Sequence, residues 1–236
     1  MIRKENVDKE FTDYYCNLNY SKIYPTEFVV RTFLGSSQNY PDLLFEKPKK
    51  NDKVIDISCG YGKNLLFLCE QGYDAVGTEV TQEICDSTKQ QLRKFGHSPE
   101  ILAGKNNNLP FEDGFADYLL AIACIYYCDA GTSIKDNIRE YARILKPGGY
   151  LVASVVHKDS EHLNGAKVQD NGTFLISNNP GGNNHLIGYT LYAAESTEQL
   201  IYDFSPEFSC FSFGEEKFNC FGNRRHFYWI VCKKAL

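Results

Sequence analysis

The stretch KVIDISCGYGKNLLFLCEQG, residues 53–72, constrains the fold more than any other part of the chain. A short apolar run ends on two closely spaced glycines, Gly60 and Gly62, and an apolar pattern of helical spacing follows as far as a stop at Gly72. The order is strand, glycine turn, helix. Glycines at such a turn let the chain bend sharply and leave its backbone open to a ligand, because no Cβ stands in the way.

The alternation continues. DAVGTEV has the pattern of a second strand, and TQEICDSTKQQLRKFG that of a helix with a Thr cap, apolar Ile84 and Leu92, and a closing Gly96. PEILAG and DYLLAIA read as the third and fourth strands, SIKDNIREYARIL as a helix starting at Ser133, and GYLVASVV as a fifth strand after a break at Pro147-Gly148-Gly149. Strands alternating with helices predict an α/β fold with a doubly wound, mostly parallel sheet and right-handed crossovers.

Composition narrows the function. The 236 residues, 43% of them hydrophobic, suit one domain with a substantial core. With 25 Lys and Arg against 30 Asp and Glu, and no basic block to track phosphates, a nucleic-acid partner is not expected. Nine scattered cysteines without C-x-x-C spacing read as reduced thiols rather than a zinc site. No apolar run of signal-peptide or membrane-spanning length is present. A cytoplasmic protein acting on a small molecule, away from membranes, is the expectation; composition leaves its oligomeric state open.

In a doubly wound sheet, ligands bind beyond the carboxyl ends of the strands, beside the first turn. Glu79 closes the second strand, where a carboxylate accepts both hydrogen bonds of a ribose diol. The ligand is therefore read as a nucleoside. A dinucleotide fingerprint wants a third glycine three residues after Gly62, and Leu65 stands there. A nicotinamide oxidoreductase is accordingly the weaker reading.

The run Asp56-Ile57-Ser58-Cys59-Gly60-Tyr61-Gly62 resembles the cofactor motif D-x-G-C-G-x-G of class I S-adenosylmethionine-dependent methyltransferases, with Ser58 in place of the first glycine. GYDAVGTEVT, LPFEDGFADYLLAIACIYY and EYARILKPGGYLVASV resemble three further family segments in the same order, so the likeness covers roughly residues 50–156. It implies a seven-stranded Rossmann-like sheet, S-adenosyl-L-methionine as cofactor, and methyl transfer that needs no metal. By the same resemblance the cofactor pocket comprises Asp56, Ser58, Cys59, Gly60, Tyr61, Gly62 and Asn64 on the first turn, and Glu79 and Val80 after the second strand. Lys105, Asn106 and Asn107, then Ala121 and Ile122 at the fourth strand, complete it. Where the family often carries an Asp for the adenine amino group, this chain reads Lys105-Asn106-Asn107-Asn108, leaving the Asn106 side chain or a backbone carbonyl for that contact.

The acceptor side is expected outside this core, which spans 49–156: in an N-terminal helical cap over 1–48, in an insertion over 157–192, and in a closing helix and antiparallel hairpin over 193–236. Tyr14, Tyr15, Tyr20 and Tyr24 cluster ahead of an apolar helical run through Phe28, Val29, Phe33 and Leu34, and aromatic faces of this kind attract a sulfonium. Tyr24 is counted with the cofactor pocket. Tyr126 and Tyr127, just past the fourth strand, are candidate catalytic groups. So is His157 after the fifth strand, where an imidazole would take a proton from a hydroxyl; His185 and His226 are weaker candidates. NGTFLISNN and HLIGYTLYAA read as a hairpin around Pro180-Gly181-Gly182-Asn183-Asn184 that roofs the acceptor, and Trp229 as core. No D/N-P-P-Y/F motif follows the fourth strand, which sets aside DNA amino-methylation. The expected reaction is O-methylation of a small polar metabolite, such as a sugar or polyol hydroxyl. N-methylation of a small amine and a non-catalytic S-adenosylmethionine-binding protein remain as alternatives.

Overall fold

The structure, a computed structural model, describes residues 7–177 and 187–235. Its main element is a seven-stranded sheet in the order β10-β11-β6-β4-β1-β2-β3, formed by β1 (Lys53–Asp56), β2 (Asp74–Glu79), β3 (Glu100–Ala103), β4 (Ala116–Ala121), β6 (Leu145–Val156), β10 (Phe208–Cys220) and β11 (Asn223–Lys234). The strands from β3 to β6 pair in parallel, and β11 and β10 join antiparallel as the expected closing hairpin.

The central strands are apolar at successive positions because both faces are covered. Val54, Leu120 and Val152 pack on one face with Val29 and Phe33 of α2 (Glu27–Leu34) and Leu65 and Leu68 of α3 (Lys63–Glu70). Ile55, Leu119 and Leu151 point to the other face, against Ile138 and Tyr141 of α5 (Ile134–Ile144) and Leu200 and Phe204 of α6 (Thr197–Phe204). The period-two alternation thus divides the core into two layers. Phe28 stacks on Trp229 with ring centroids 4.2 Å apart, while Leu34 faces outward.

Local signals fix the helix ends. Thr81 caps α4 (Gln82–Arg93) by accepting from the Ile84 N–H, and Ser133 forms a reciprocal capping box with Asp136 ahead of α5. At Pro147-Gly148-Gly149 the expected break is a bulge inside a longer strand. Leu145 already pairs with Ala116, the register then shifts, and pairing resumes at Tyr118–Tyr150 with Gly148 at φ +76°.

The insertion is larger than a hairpin. Strands β7 (Ala166–Val168), β8 (Phe174–Ile176) and β9 (Thr190–Leu191) join β5 (Tyr127–Cys128) in a second antiparallel sheet of order β5-β9-β8-β7. The loop Pro180 to Asn184 and His185 lie outside the described residues. In the N-terminal region, α1 (Val7–Cys16) rests on α4, with Thr12 Oγ1 3.0 Å from Thr81 Oγ1. No helix among the described residues is long and apolar enough to cross a membrane.

Candidate functional site

Sheet order reverses between β1 and β4, and the carboxyl ends of these strands open a crevice at that point. The turn after β1 is held in the left-handed region at Ser58 (φ +50°), Gly60 (+58°) and Gly62 (+86°). For Ser58 that conformation costs about 1–2 kcal/mol, and its N–H donates to Thr78 Oγ1 at 3.2 Å. A Cβ on Gly62 would meet Leu92 Cδ2 at 2.9 Å, so that glycine lets the turn lie against α4. A Cβ on Gly60 would meet the Tyr15 ring of α1 at 2.8 Å.

Glu79 is tied to this turn. Its Oε1 accepts from the Gly60 N–H at 2.7 Å and its Oε2 from the Val80 N–H at 2.9 Å. Burial nevertheless raises its pKa to about 7, because two amide dipoles do not replace the lost water. Asp56, at the end of β1, is 2% exposed, and its Oδ2 has no hydrogen-bond partner among the described residues. Burial, opposed by Lys63 and reinforced by Glu79, pushes Asp56 up to about 8. A buried acceptor without a donor calls for a ligand N–H or cation.

These groups line one cavity of about 260 Å³. Ser58, Cys59, Gly60, Tyr61, Asn64 and Val80 form its floor with Asp56 and Glu79. Lys105, Asn106, Ile122, Tyr126 and Tyr127 form a wall. Of the residues expected in the pocket, Gly62, Asn107 and Ala121 do not border the cavity.

Three expectations are corrected. Tyr24 is 72% exposed and borders a separate shallow cleft beside Pro25 and Phe95, because the chain between the two N-terminal helices turns it outward. The Asn106 amide is committed to the protein: its Nδ2 donates to the Cys124 and Tyr127 carbonyls, and its Oδ1 accepts from Tyr141 OH at 2.9 Å. Of the two acceptors considered for the adenine amino group, this leaves a backbone carbonyl. His157 does not border the cavity. Its ring stacks on His226 at 3.6 Å, and its Nδ1 accepts from the Asp159 N–H at 3.0 Å.

The rest of the wall comes from segments remote in sequence. Asp8, Phe11, Tyr14 and Tyr15 arrive on α1, Tyr189 from the second sheet, His162 from a 3₁₀ turn (Glu161–Leu163) and Arg225 from β11. Phe11 lies edge-on to Tyr127 and Tyr189, at 5.8 and 4.8 Å, and Tyr127 meets Tyr189 at 5.5 Å. Lys105 Nζ bridges Asp8 (3.0 Å) and Asp129 (3.4 Å), joining α1 to the segment after β5. Burial raises the Tyr126 and Tyr127 hydroxyls, so both are neutral donors rather than ready bases. Among the described residues, His162 is the only histidine on the cavity wall. Its ring lies edge-on to Phe227 at 5.1 Å. The 3.6- and 2-residue periodicities reveal none of these wall residues, although Tyr14 and Tyr15 stand out as an aromatic cluster.

Known proteins resemble this chain in sequence over its central part and in fold. Residues 55–153 match the family model described as a methyltransferase domain. The bifunctional biotin-biosynthesis protein of Cellvibrio japonicus is 26% identical over 104 residues, which are 44% of this chain and 20% of that protein. The chain spans 20% to 34% of the length of the first curated relatives it matches. Among solved structures, an S-adenosylmethionine-dependent methyltransferase of Methanosarcina mazei superposes with a TM-score of 0.61 at 20% identity, covering 85% of this chain and 98% of that one. The N-methyltransferase NodS of Bradyrhizobium japonicum, in complex with S-adenosyl-L-homocysteine, gives 0.65 at 12% identity, covering 98% and 100%.

Proposed function

We propose that the chain, whose residues 55–153 match a methyltransferase domain, is a class I S-adenosylmethionine-dependent methyltransferase that methylates a hydroxyl of a small polar metabolite held above the β1–β4 crevice. The observation that carries this reading is the cavity itself. It joins a nucleoside floor, with Glu79 at the end of β2, to a chamber walled by Tyr127, Tyr189 and His162. α1 covers the cavity from one side, which suits a small acceptor better than a polymer.

The cofactor fits the floor. Glu79 would take the ribose diol, and the partnerless Asp56 Oδ2 would accept from the methionine ammonium. Gly60 holds the turn in the left-handed region beneath the Tyr15 ring and donates its N–H to Glu79. When bound, S-adenosylmethionine supplies a methyl carbon on a sulfonium, which leaves as a neutral thioether once the acceptor oxygen has taken the methyl. The protein's task is to align the acceptor, exclude water and receive the acceptor proton. His162 receives that proton, with the neutral Tyr126 and Tyr127 hydroxyls orienting the acceptor.

Calorimetry with S-adenosylhomocysteine and with NAD tests the floor, and transfer of labelled methyl to a panel of hydroxyl and amine metabolites tests the chamber. Binding of NAD in preference to S-adenosylhomocysteine would overturn the reading. Asp8 and Asp129 on the wall favour a small amine as the second reading; label appearing only on amines would select it.

Cofactor affinity should rise with pH. Asp56 and Glu79 hold protons up to about 8 and about 7 in the ligand-free protein, and a bound ammonium and sulfonium favour the carboxylates. Binding therefore releases protons, and the dissociation constant should fall between about pH 6 and 8. The stability of the free protein runs the other way. Both folded pKa values lie above the ordinary carboxyl range near 4, so their contribution is complete below about pH 4 and is lost as pH rises through about 8. Asp56→Asn should flatten both profiles. Heats of binding that do not vary with buffer ionisation enthalpy would count against this linkage.

A further inference from the structure

The turn after β6 is closed by a side-chain contact that methyl transfer does not use. His157 follows Val156, the last residue of β6, and its N–H donates to the carbonyl of His226 on β11 at 3.0 Å. This pairing stacks the two imidazoles face to face, with centroids 3.6 Å apart and planes 18° from parallel. Both residues are buried, at 7% and 6% exposure. His157 Nδ1 accepts from the Asp159 N–H at 3.0 Å, and this bond folds the chain back into the turn. The same Nδ1 lies 3.7 Å from Oδ2 of Asp159, whose side chain is 69% exposed. One nitrogen thus faces two partners on one residue: an amide that needs its lone pair, and a carboxylate that would bind its proton.

We propose that His157 and Asp159 form a proton-operated clasp: the turn after β6 is closed while His157 Nδ1 accepts from the Asp159 amide, and opens when Nδ1 takes a proton and donates to the Asp159 carboxylate. The two states differ by one proton drawn from solvent, and no covalent bond of the chain changes. A protonated Nδ1 would point its N–H at the amide N–H, so the backbone bond must break. The exposed Asp159 carboxylate then swings into the place of its own amide.

The surroundings set the balance between the two states. His226, stacked on His157, places Nε2 2.7 Å from Glu215 Oε1 on β10, and Lys217 Nζ lies 3.2 Å from the same oxygen. Tyr228 on β11 adds an uncharged ring 5.1 Å from His157. Lys158 and Arg224 flank the cluster but pair with Glu195 (3.3 Å) and Glu161 (3.5 Å), and Arg225, next to His226, borders the cavity. Burial, with the facing His226, holds the His157 pKa below its ordinary value against the pull of Asp159 and Glu215. The closed turn therefore contributes its full stability above about pH 6.5 and loses it as pH falls below that, because the opened imidazole binds the proton more tightly. His162 rides on this turn: the Ser160 N–H donates to the His157 carbonyl at 2.9 Å, and Ser160 Oγ accepts from the His226 N–H at 3.2 Å. Opening thus loosens one cavity wall in acid. That consequence rests on the acceptor reading above, whereas the clasp does not.

The test is amide hydrogen exchange over residues 157–163 of the full chain, corrected for the intrinsic pH dependence of exchange, together with imidazole nitrogen NMR between about pH 5 and 8. The opening constant of the Asp159 amide should rise by up to about tenfold per pH unit below about pH 6.5, the slope of a single proton. Local exchange is read in place of a melt because Asp56 and Glu79 move global stability in the opposite sense. His157→Gln, whose side-chain carbonyl accepts from the Asp159 N–H without titrating, should keep the turn protected and abolish the slope. Asp159→Asn removes the carboxylate that stabilises the proton and should move the slope to lower pH. It changes an exposed group, so it carries the test even if His157→Gln fails to fold. A wild-type opening constant that does not vary with pH, a slope unaltered in Asp159→Asn, or a proton on His157 Nδ1 at about pH 8 would overturn the proposal. The expected slope in a chain that transfers no methyl supports the clasp and overturns only the acceptor reading.

Discussion

Replacing Glu79 with alanine is expected to raise the dissociation constant for S-adenosylhomocysteine by about 100-fold or more. Each hydrogen bond to a charged acceptor contributes about 1.5–3 kcal/mol, and each 1.4 kcal/mol is about tenfold in affinity. A ribose diol makes two such bonds. The alanine also strands the Gly60 and Val80 amides that now donate to the carboxylate, so the turn itself loosens. Glu79→Gln should fall between wild type and Glu79→Ala, because its single carbonyl oxygen cannot serve both amides and the ribose. A circular-dichroism melt separates lost binding from lost folding. An unchanged dissociation constant in a folded Glu79→Ala protein would remove the ribose assignment.

Glu79 was legible in the sequence because the information that places it is local. A strand ending in an acid, one crossover after a glycine turn, must set that acid beside the turn in a right-handed βαβ unit. The same holds for Asp56, Gly60, Thr81 and Ser133, whose roles depend on neighbours a few residues away. The cavity wall obeys different rules. Arg225 reaches it because β11 inserts beside β6, Tyr189 because β9 joins β5, and Phe11 because α1 lies on α4. Those pairings depend on packing between segments more than 50 residues apart, to which a periodicity of 2 or 3.6 is blind.

His157 and Tyr24 show what position in an element leaves undetermined. The sequence places His157 at the carboxyl edge of the sheet, where it is found, but not which way its ring turns. Side chains alternate along β6, and pairing with β11 directs this imidazole onto His226 instead of over the crevice. Tyr24 sits between two helices whose relative placement the sequence does not contain. It turns to solvent, while Tyr15, one helix earlier, covers Gly60.

The imidazole that borders the cavity is His162, and His162→Ala is expected to lower the turnover number by about 100-fold, the lower end of what positioned proton transfer contributes. The expectation rests on placement. His162 shares the wall with Tyr126 and Tyr127 beyond the ends of β4 and β6, and Phe227 steadies its ring edge-on. Affinity for S-adenosylhomocysteine should stay near wild type, since Glu79 and Asp56 lie on the floor. His162→Gln, which keeps a hydrogen-bonding group without a titrating base, separates proton transfer from simple wall packing: a base predicts that glutamine is as slow as alanine, whereas a packing role predicts recovery. Near-normal turnover in His162→Ala would leave the reaction to alignment of the acceptor alone.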